Sequence, residues 1–307
     1  MPSIPIIAFS WCYAIAFGLE VVSLKRRPTW FPKPLVIATA VGLVIHGLYL
    51  YRSAIGANAL PISTADWLLL VAWVLAIIYL ATLFYLPRTP TGLALLPIVL
   101  GLILGSRFAS SSPLAGDESF MRLGMFHGIA MLLGVVTVSL GFIAGVMYLL
   151  QSYALKHSRS IANRLRLPSL EWLERIISRT LGISAVLIAF GFVSGLVISL
   201  TTHRRDTKYE LWTDPVVLSL AAMLLWLIAA EIFRLVYPAA RRGRKVAYLT
   251  LASFVFLIVA ITAFALLDNV HGAAQAAAVG QNQRNFGLRI ADCPPSPIRN
   301  PKSEIRN

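Results

Sequence analysis

The sequence contains few charged residues and almost no cysteine. Charged residues make up 13% of the 307 residues and hydrophobic residues 58%, whereas a soluble domain carries roughly 25% charged and about 45–50% apolar residues. This composition excludes an ordinary soluble protein and indicates a polytopic membrane protein. The two cysteines are Cys12, inside an apolar run, and Cys293, near the C-terminal end. They form no CxxC pair, so the sequence indicates neither a disulfide framework nor thiol chemistry.

A basic segment ahead of the first apolar run is also missing. Lys25, Arg26 and Arg27 follow that run instead, which is the reverse of a cleaved signal peptide, so we expect the run to remain as a membrane span. The net charge of +14 does not indicate nucleic acid as a partner, because basic residues in short loops are what orient membrane helices. The expected location is the inner or plasma membrane, and the lipid bilayer is an expected partner.

Apolar runs of the length that crosses a bilayer recur along the chain. A helix needs about 20 apolar residues to cross the hydrocarbon core, and in lipid every backbone amide must be paired within its own segment. We therefore predict an all-α membrane bundle with eight spans, the fourth of which is short and contains Pro97. The predicted spans are Ile4–Leu24, Leu35–Ser53, Ala65–Leu86, Thr91–Ser106, Phe120–Leu150, Ile177–Leu200, Pro215–Tyr237 and Val246–Leu267.

Lysine and arginine are distributed unevenly over the loops. Of the 27 basic residues, residues 24–34, 87–90, 151–179 and 234–245 hold sixteen, residues 52–64, 107–122 and 201–214 hold six, and the tail holds five. Because cytoplasmic loops carry the excess of positive charge, both termini are predicted to lie outside.

The segments that flank the later spans suggest two further features. In the basic linker from Gln151 to Ile176, Pro168-Ser169 resembles a helix start with Ser169 as the cap, and we expect a surface-lying helix that leads into the sixth span. Residues 1–271 are predicted to form one membrane domain. The tail at 272–307, rich in Pro, Asn and Arg towards its end, is expected to be disordered.

The polar loop Tyr209–Pro215 lies between two long apolar runs and contains Trp212 and Asp214. In the predicted topology this loop is outside, and so are His127, about two turns into the fifth span, and His271, just past the eighth. His46 lies about 18 Å into the second span, in its outer half. Neutral imidazole is a common ligand of haem iron, so these residues form a candidate haem site at the outer face.

Each of these residues also has a structural interpretation. A histidine within a span can bridge two helices, and Trp212 can be an aromatic anchor at the membrane interface. Asp214 before Pro215 has the pattern of a helix cap followed by proline in the first turn. The ionisable residues Glu231 and Arg234 are predicted to form a structural ion pair or to reach the interface, as is Glu20.

Four segments resemble the cytochrome c assembly superfamily, the haem-handling membrane proteins of the CcsA, CcmC and HemX type. The resemblance covers about residues 62–271. It rests on Phe126-His127-Gly128, on Leu167–Arg175, on Trp212-Thr213-Asp214-Pro215 and on Asn269-Val270-His271-Gly272. It implies that His127 and His271 are axial ligands of haem b, that Trp212 and Asp214 belong to the tryptophan-rich outer loop, and that His46 is the intramembrane histidine.

The resemblance also sets the expected function and its alternatives. The loop has one tryptophan where the full motif has several, which is closer to the HemX-like branch than to a complete cytochrome c synthase, so a non-enzymatic assembly component is expected. The expected partners are haem, other cytochrome c assembly membrane proteins and apocytochrome c, with Arg122, Arg204 or Arg205 near the propionates. The alternatives are a regulatory or scaffold membrane protein without a cofactor and, ranked below it, a small-solute transporter.

Overall fold

The computed structural model describes residues 6–23, 32–56, 63–86, 89–109, 118–157, 168–202, 214–237 and 244–266. Over these residues the chain forms eight α-helices and no strand. The helices are α1 (Ile6–Ser23), α2 (Pro32–Gly56), α3 (Thr64–Tyr85), α4 (Gly92–Ser106), α5 (Glu118–His157), α6 (Leu170–Thr202), α7 (Pro215–Val236) and α8 (Arg244–Leu266). The predicted all-α fold with eight helices is confirmed, and each predicted span overlaps one helix.

Seven of these helices are long and apolar enough to cross a membrane, and the protein is a multi-pass membrane protein. The exception is α4, which has 15 residues and contains Pro97. At 1.5 Å per residue α4 is about 22 Å long, which is less than the roughly 30 Å of a hydrocarbon core.

Contacts at both ends of α4 show that it reverses the direction of the chain. At its start, the hydroxyls of Thr82 on α3 and Thr91 are 2.8 Å apart. At its end, a Cβ placed on Gly105 would lie 4.0 Å from the side chain of Leu68 near the start of α3. Helix α4 is therefore antiparallel to α3, and the alternation of the helices is kept despite its short length.

Helices α5 and α6 extend beyond the predicted spans. Ser169 caps α6 as predicted, because its hydroxyl accepts a hydrogen bond from the backbone N–H of Trp172 at 3.4 Å. The predicted surface-lying helix, however, is not a separate element: α6 runs from Leu170 to Thr202 without interruption. The physical reason is that Leu173 and Ile177 are both fully buried in the core, so the helix is held by packing from its first turns.

The buried side chains form two clusters. The larger cluster joins α1 to α5 with the first turns of α6 and α8. The smaller cluster is centred on Ile188 of α6 and on Met223 and Leu227 of α7. Helix α5 takes part in both, through Val136 in the larger and Val138 in the smaller cluster, and α6 and α8 also contribute to both. These three helices connect the two halves of the bundle.

Helices α5 and α6 run antiparallel and pack closely along their length. A Cβ on Gly134 would lie 2.5 Å from the side chain of Ile188, and one on Gly141 would lie 2.8 Å from the hydroxyl of Thr180. Small residues allow membrane helices to approach closely. This packing places the start of α5, with His127, beside the end of α6.

Candidate haem site

The ring of His127 is held by the backbone of α6. Its Nδ1–H donates a hydrogen bond to the carbonyl oxygen of Gly191 at 2.8 Å. The hydroxyl of Ser194 lies 3.3 Å from the same nitrogen and donates to the same carbonyl at 2.9 Å. A carbonyl oxygen can only accept, so Nδ1 must carry the proton. In the neutral ring, Nε2 then has the lone pair that a metal requires.

The second ring nitrogen of His127, Nε2, has no partner among the described residues. Within the described part of the chain Nε2 makes no hydrogen bond, and it is not among the fully buried atoms without a partner. Histidine that binds a metal usually donates its other ring N–H to a carbonyl or carboxylate. The arrangement around His127 therefore has the chemistry of an axial ligand.

Glycines form the surfaces next to His127. A Cβ on Gly195 would lie 2.8 Å from Cε1 of His127, and a Cβ on Gly128 would lie 2.3 Å from the ring of Trp67. The imidazole thus lies against α6 at Gly195, and the neighbouring residue on α5 lies against the indole of α3. Neither position has room for a side chain without a shift of the ring that it contacts.

His46 has a different environment from His127. Its side chain is completely buried and is stacked on Phe9 of α1 at a centroid distance of 4.1 Å and an angle of 3°. The hydroxyl of Tyr13 lies 3.4 Å from Nδ1, and Nε2 is buried without a hydrogen-bond partner among the described residues. A tyrosine hydroxyl can donate or accept, so this contact does not fix which nitrogen carries the proton.

His46 and His127 are separated by α3, which packs against both α2 and α5. A Cβ placed on Gly47, next to His46, would lie 3.3 Å from the ring of Trp73. Gly128, next to His127, lies instead against the ring of Trp67. Both histidines are in the half of the bundle where α3 begins, as the predicted topology requires. Among the described residues, the contacts of the two rings do not overlap.

Asp214 is the N-cap of α7. Its Oδ1 accepts hydrogen bonds from the backbone N–H groups of Val216 at 2.8 Å and Val217 at 3.3 Å, and its side chain is buried. Pro215 occupies the first turn. The predicted cap is confirmed. Trp212 and His271, the other two predicted site residues, lie outside the described residues, as does the tail.

The start of α7 lies at the same end of the bundle as His127. A Cβ on Gly182, in the first half of α6, would lie 3.6 Å from the carboxylate of Glu231 near the end of α7, so α7 is antiparallel to α6. Asp214 is consequently level with the end of α6, and α6 carries Gly191 and Gly195. The helix ends that flank residues 203–213 are therefore both on the His127 side.

Glu231 and Glu20, two ionisable residues within the helices, each have a hydrogen-bond partner. Arg234 donates hydrogen bonds to Glu231, through Nε to Oε2 at 2.9 Å and through Nη2 to Oε1, which confirms the predicted ion pair. Glu20 is buried and accepts a hydrogen bond from the hydroxyl of Tyr79 at 3.3 Å. Over the described ranges no group of three or more His, Cys, Asp and Glu could hold a metal ion; axial ligation of haem does not require such a group.

Sequence reasoning missed the residues that hold His127. Gly191 and Gly195 form a Gly-x-x-x-Gly pattern on α6, and such a pattern indicates the close approach of a second membrane helix. The sequence therefore indicated a close helix contact at this part of α6. It does not say which helix approaches, nor that the contacting residue is a histidine.

The sequence model of the family described as Cytochrome C assembly protein matches residues 35–271. The chain belongs to the cytochrome c assembly protein family. The matched range contains His46, His127, Trp212, Asp214 and His271, and it leaves α1 outside. No curated protein and no solved structure matches the chain. Membership assigns this membrane protein a role in the biogenesis of c-type cytochromes.

Proposed function

We propose that this assembly protein binds haem b at the outer face of the membrane and holds it for c-type cytochrome assembly. The observation that carries the proposal is the ring of His127, whose Nδ1–H is bound to the carbonyl of Gly191 while Nε2 is left as the free nitrogen. This is the state that an imidazole needs to ligate iron.

His271 is the proposed second axial ligand, and Trp212 is proposed to pack against the macrocycle. Haem iron, when bound, is held by axial protein ligands whose surroundings set its potential and reactivity. Asp214 keeps the start of α7 in place by capping it, and in the proposal this also anchors the loop that contains Trp212. Arg122, Arg204 or Arg205 would pair with the propionates, since guanidinium binds carboxylate through two parallel hydrogen bonds.

His46 is proposed as a further imidazole that contacts haem within the membrane. Its buried Nε2 lacks a partner, and an unpaired buried polar atom costs about 1–3 kcal/mol. A ligand that pairs with this atom would remove that cost. Because Phe9 covers the ring, α1 would have to move away from α2 before haem could reach it.

The partners proposed for the haem-loaded protein are other cytochrome c assembly membrane proteins and apocytochrome c. The family supports this assignment. A HemX-like regulatory role without cofactor is the competing function, and the presence or absence of haem in the purified protein separates the two.

The experiment compares wild type with His127→Gly, His271→Gly and His157→Gly, expressed with ample haem. We expect the first two variants to retain less haem and to change the absorption bands, because each opens an axial position. Added imidazole should restore part of both losses by filling the space left by the ring. His157→Gly should match wild type, since His157 ends α5 at the opposite end of the bundle from His127.

Haem per protein is measured by the pyridine haemochrome and coordination by the visible spectrum. Wild-type haem content and spectra in both His127→Gly and His271→Gly would refute the ligand assignment. A wild-type protein that takes up no haem would favour the regulatory function.

A further inference from the structure

We propose that Gly191 and Gly195 of α6 are positioning residues that fix the ring of His127 in the state able to bind iron. The inference rests on the proposed function for its effect on haem, but its structural content concerns the imidazole alone. It assigns a role to α6, a helix on which none of the predicted ligands lies.

We call Gly191 and Gly195, with the backbone between them, the cradle of His127. Its first element is the carbonyl of Gly191. It accepts from Nδ1–H of His127 at 2.8 Å and from the hydroxyl of Ser194 at 2.9 Å. A carbonyl acceptor selects the tautomer with Nε2 free, and it makes the ring a stronger ligand by drawing on its N–H proton. The acceptor is a backbone atom, so replacing a side chain on α6 does not remove it. The hydrogen bond changes only when the distance between α5 and α6 changes.

The second element is the missing side chain at Gly195. A Cβ there would lie 2.8 Å from Cε1 and 3.2 Å from Nδ1 of His127. The ring occupies the space that any other residue would fill. An alanine would push the ring away from α6 and lengthen the hydrogen bond to Gly191.

Met131 supports the same arrangement one turn further along α5. A Cβ on Gly191 would lie 2.5 Å from its sulfur. Gly191 therefore accommodates Met131, and Gly195 accommodates His127, so the two glycines set the spacing of α5 and α6 at the level of the ligand. A glycine pair that served packing alone would not need to place a carbonyl opposite a ring nitrogen.

The test uses Gly195→Ala with two matched controls. The first control, Gly182→Ala, is on the same helix, and its new Cβ would lie at an ordinary 3.6 Å from the nearest atom. The second control, Gly124→Ala, is on α5 near His127, and its new Cβ would have no atom within 4 Å. Loss of a residue that orients a metal ligand typically lowers affinity about 10–100-fold. We expect a loss of haem affinity of this size, with a shift towards five-coordinate iron, in Gly195→Ala alone.

A second measurement does not depend on haem. In haem-free protein labelled with ¹⁵N-histidine, the His127 signals, assigned by their absence in His127→Gln, should show Nδ1 protonated and Nε2 unprotonated. Gly195→Ala should lose this pattern, and both controls should keep it.

Each result decides the proposal. Wild-type tautomer and wild-type haem spectrum in Gly195→Ala would overturn it, and so would an equal loss in Gly182→Ala, because the effect would then be one of helix packing. A wild-type protein that binds no haem, yet shows the Nδ1–H tautomer that Gly195→Ala abolishes, would reject the proposed function and retain the cradle.

Discussion

At the scale of single residues, His46 and His127 differ in how their ring nitrogens are used. His127 is bound through Nδ1 to a backbone carbonyl, whereas His46 faces a tyrosine hydroxyl and is stacked on Phe9. The first arrangement determines which nitrogen is free, and the second does not. The proposed ligation therefore needs no change in the hydrogen bond of His127, whereas the proposed contact of His46 with haem needs Phe9 to move away.

Asp214 provides a residue-scale prediction about the cap of α7. Asp214→Ala removes the acceptor of the Val216 and Val217 N–H groups, and loss of an N-cap costs about 0.5–2 kcal/mol. Asp214→Asn should keep most of the wild-type stability, because asparagine caps about as well as aspartate. Thermal unfolding in detergent measures both. If Asn were as destabilising as Ala, the carboxylate charge rather than the cap would be what matters.

At the scale of helices, α1 packs over the ring of His46. Phe9, Tyr13 and Glu20 lie on its buried face, whereas Trp11 is 65% exposed. Phe9 and Trp11 are two residues apart, so they point to different sides of the same helix.

We therefore predict that Phe9→Ala destabilises the protein and that Trp11→Ala does so much less. A favourable aromatic stack contributes about 0.5–1.5 kcal/mol beyond the burial of area, and Phe9→Ala also leaves a cavity against His46. Unfolding midpoints in the same detergent compare the two variants. Equal midpoints for Phe9→Ala and wild type would show that α1 does not hold His46 by packing.

The helices themselves could be predicted from the sequence because apolar runs of sufficient length must be helical in lipid. The caps at Ser169 and Asp214 could also be predicted, since each depends on residues within the same turn. The extension of α5 to His157 was not predicted, because polar and basic residues continue the helix after Leu150. The helix after Ser169 was predicted, but as a separate surface-lying element rather than as the first turns of α6. The hydrogen bond from His127 to Gly191 was out of reach, because its acceptor is a backbone atom 64 residues away.

At the scale of the whole molecule, the alternation of helices places the starts of α3, α5 and α7 at one end of the bundle. This end carries His127, His46 and Asp214, and the distribution of basic residues predicts that it faces outside. The arrangement of helices and the direction of insertion are separate questions, because the contacts between helices are the same in either orientation.

Cysteine labelling determines the orientation. In a protein with Cys12→Ala and Cys293→Ala, Thr207→Cys should react with a membrane-impermeant maleimide in intact cells or spheroplasts, because residues 203–213 follow the end of α6 on the His127 side. Ser158→Cys, after the opposite end of α5, should react only after lysis. The reverse pattern would place the candidate site in the cytoplasm and reject a role for it at the outer face.

The short helix α4 has a consequence for the lipid around the protein. Pro97, Gly101 and Leu104 form an exposed stripe on it, and the exposed Arg107 follows directly after its end. An apolar segment about 8 Å shorter than the hydrocarbon core is matched by local thinning of the bilayer or by flanking cations that reach the headgroups, at a cost of fractions of a kcal/mol per Å. We therefore expect the acyl chains beside α4 to be compressed and the stability of the protein to depend on the thickness of the membrane that holds it.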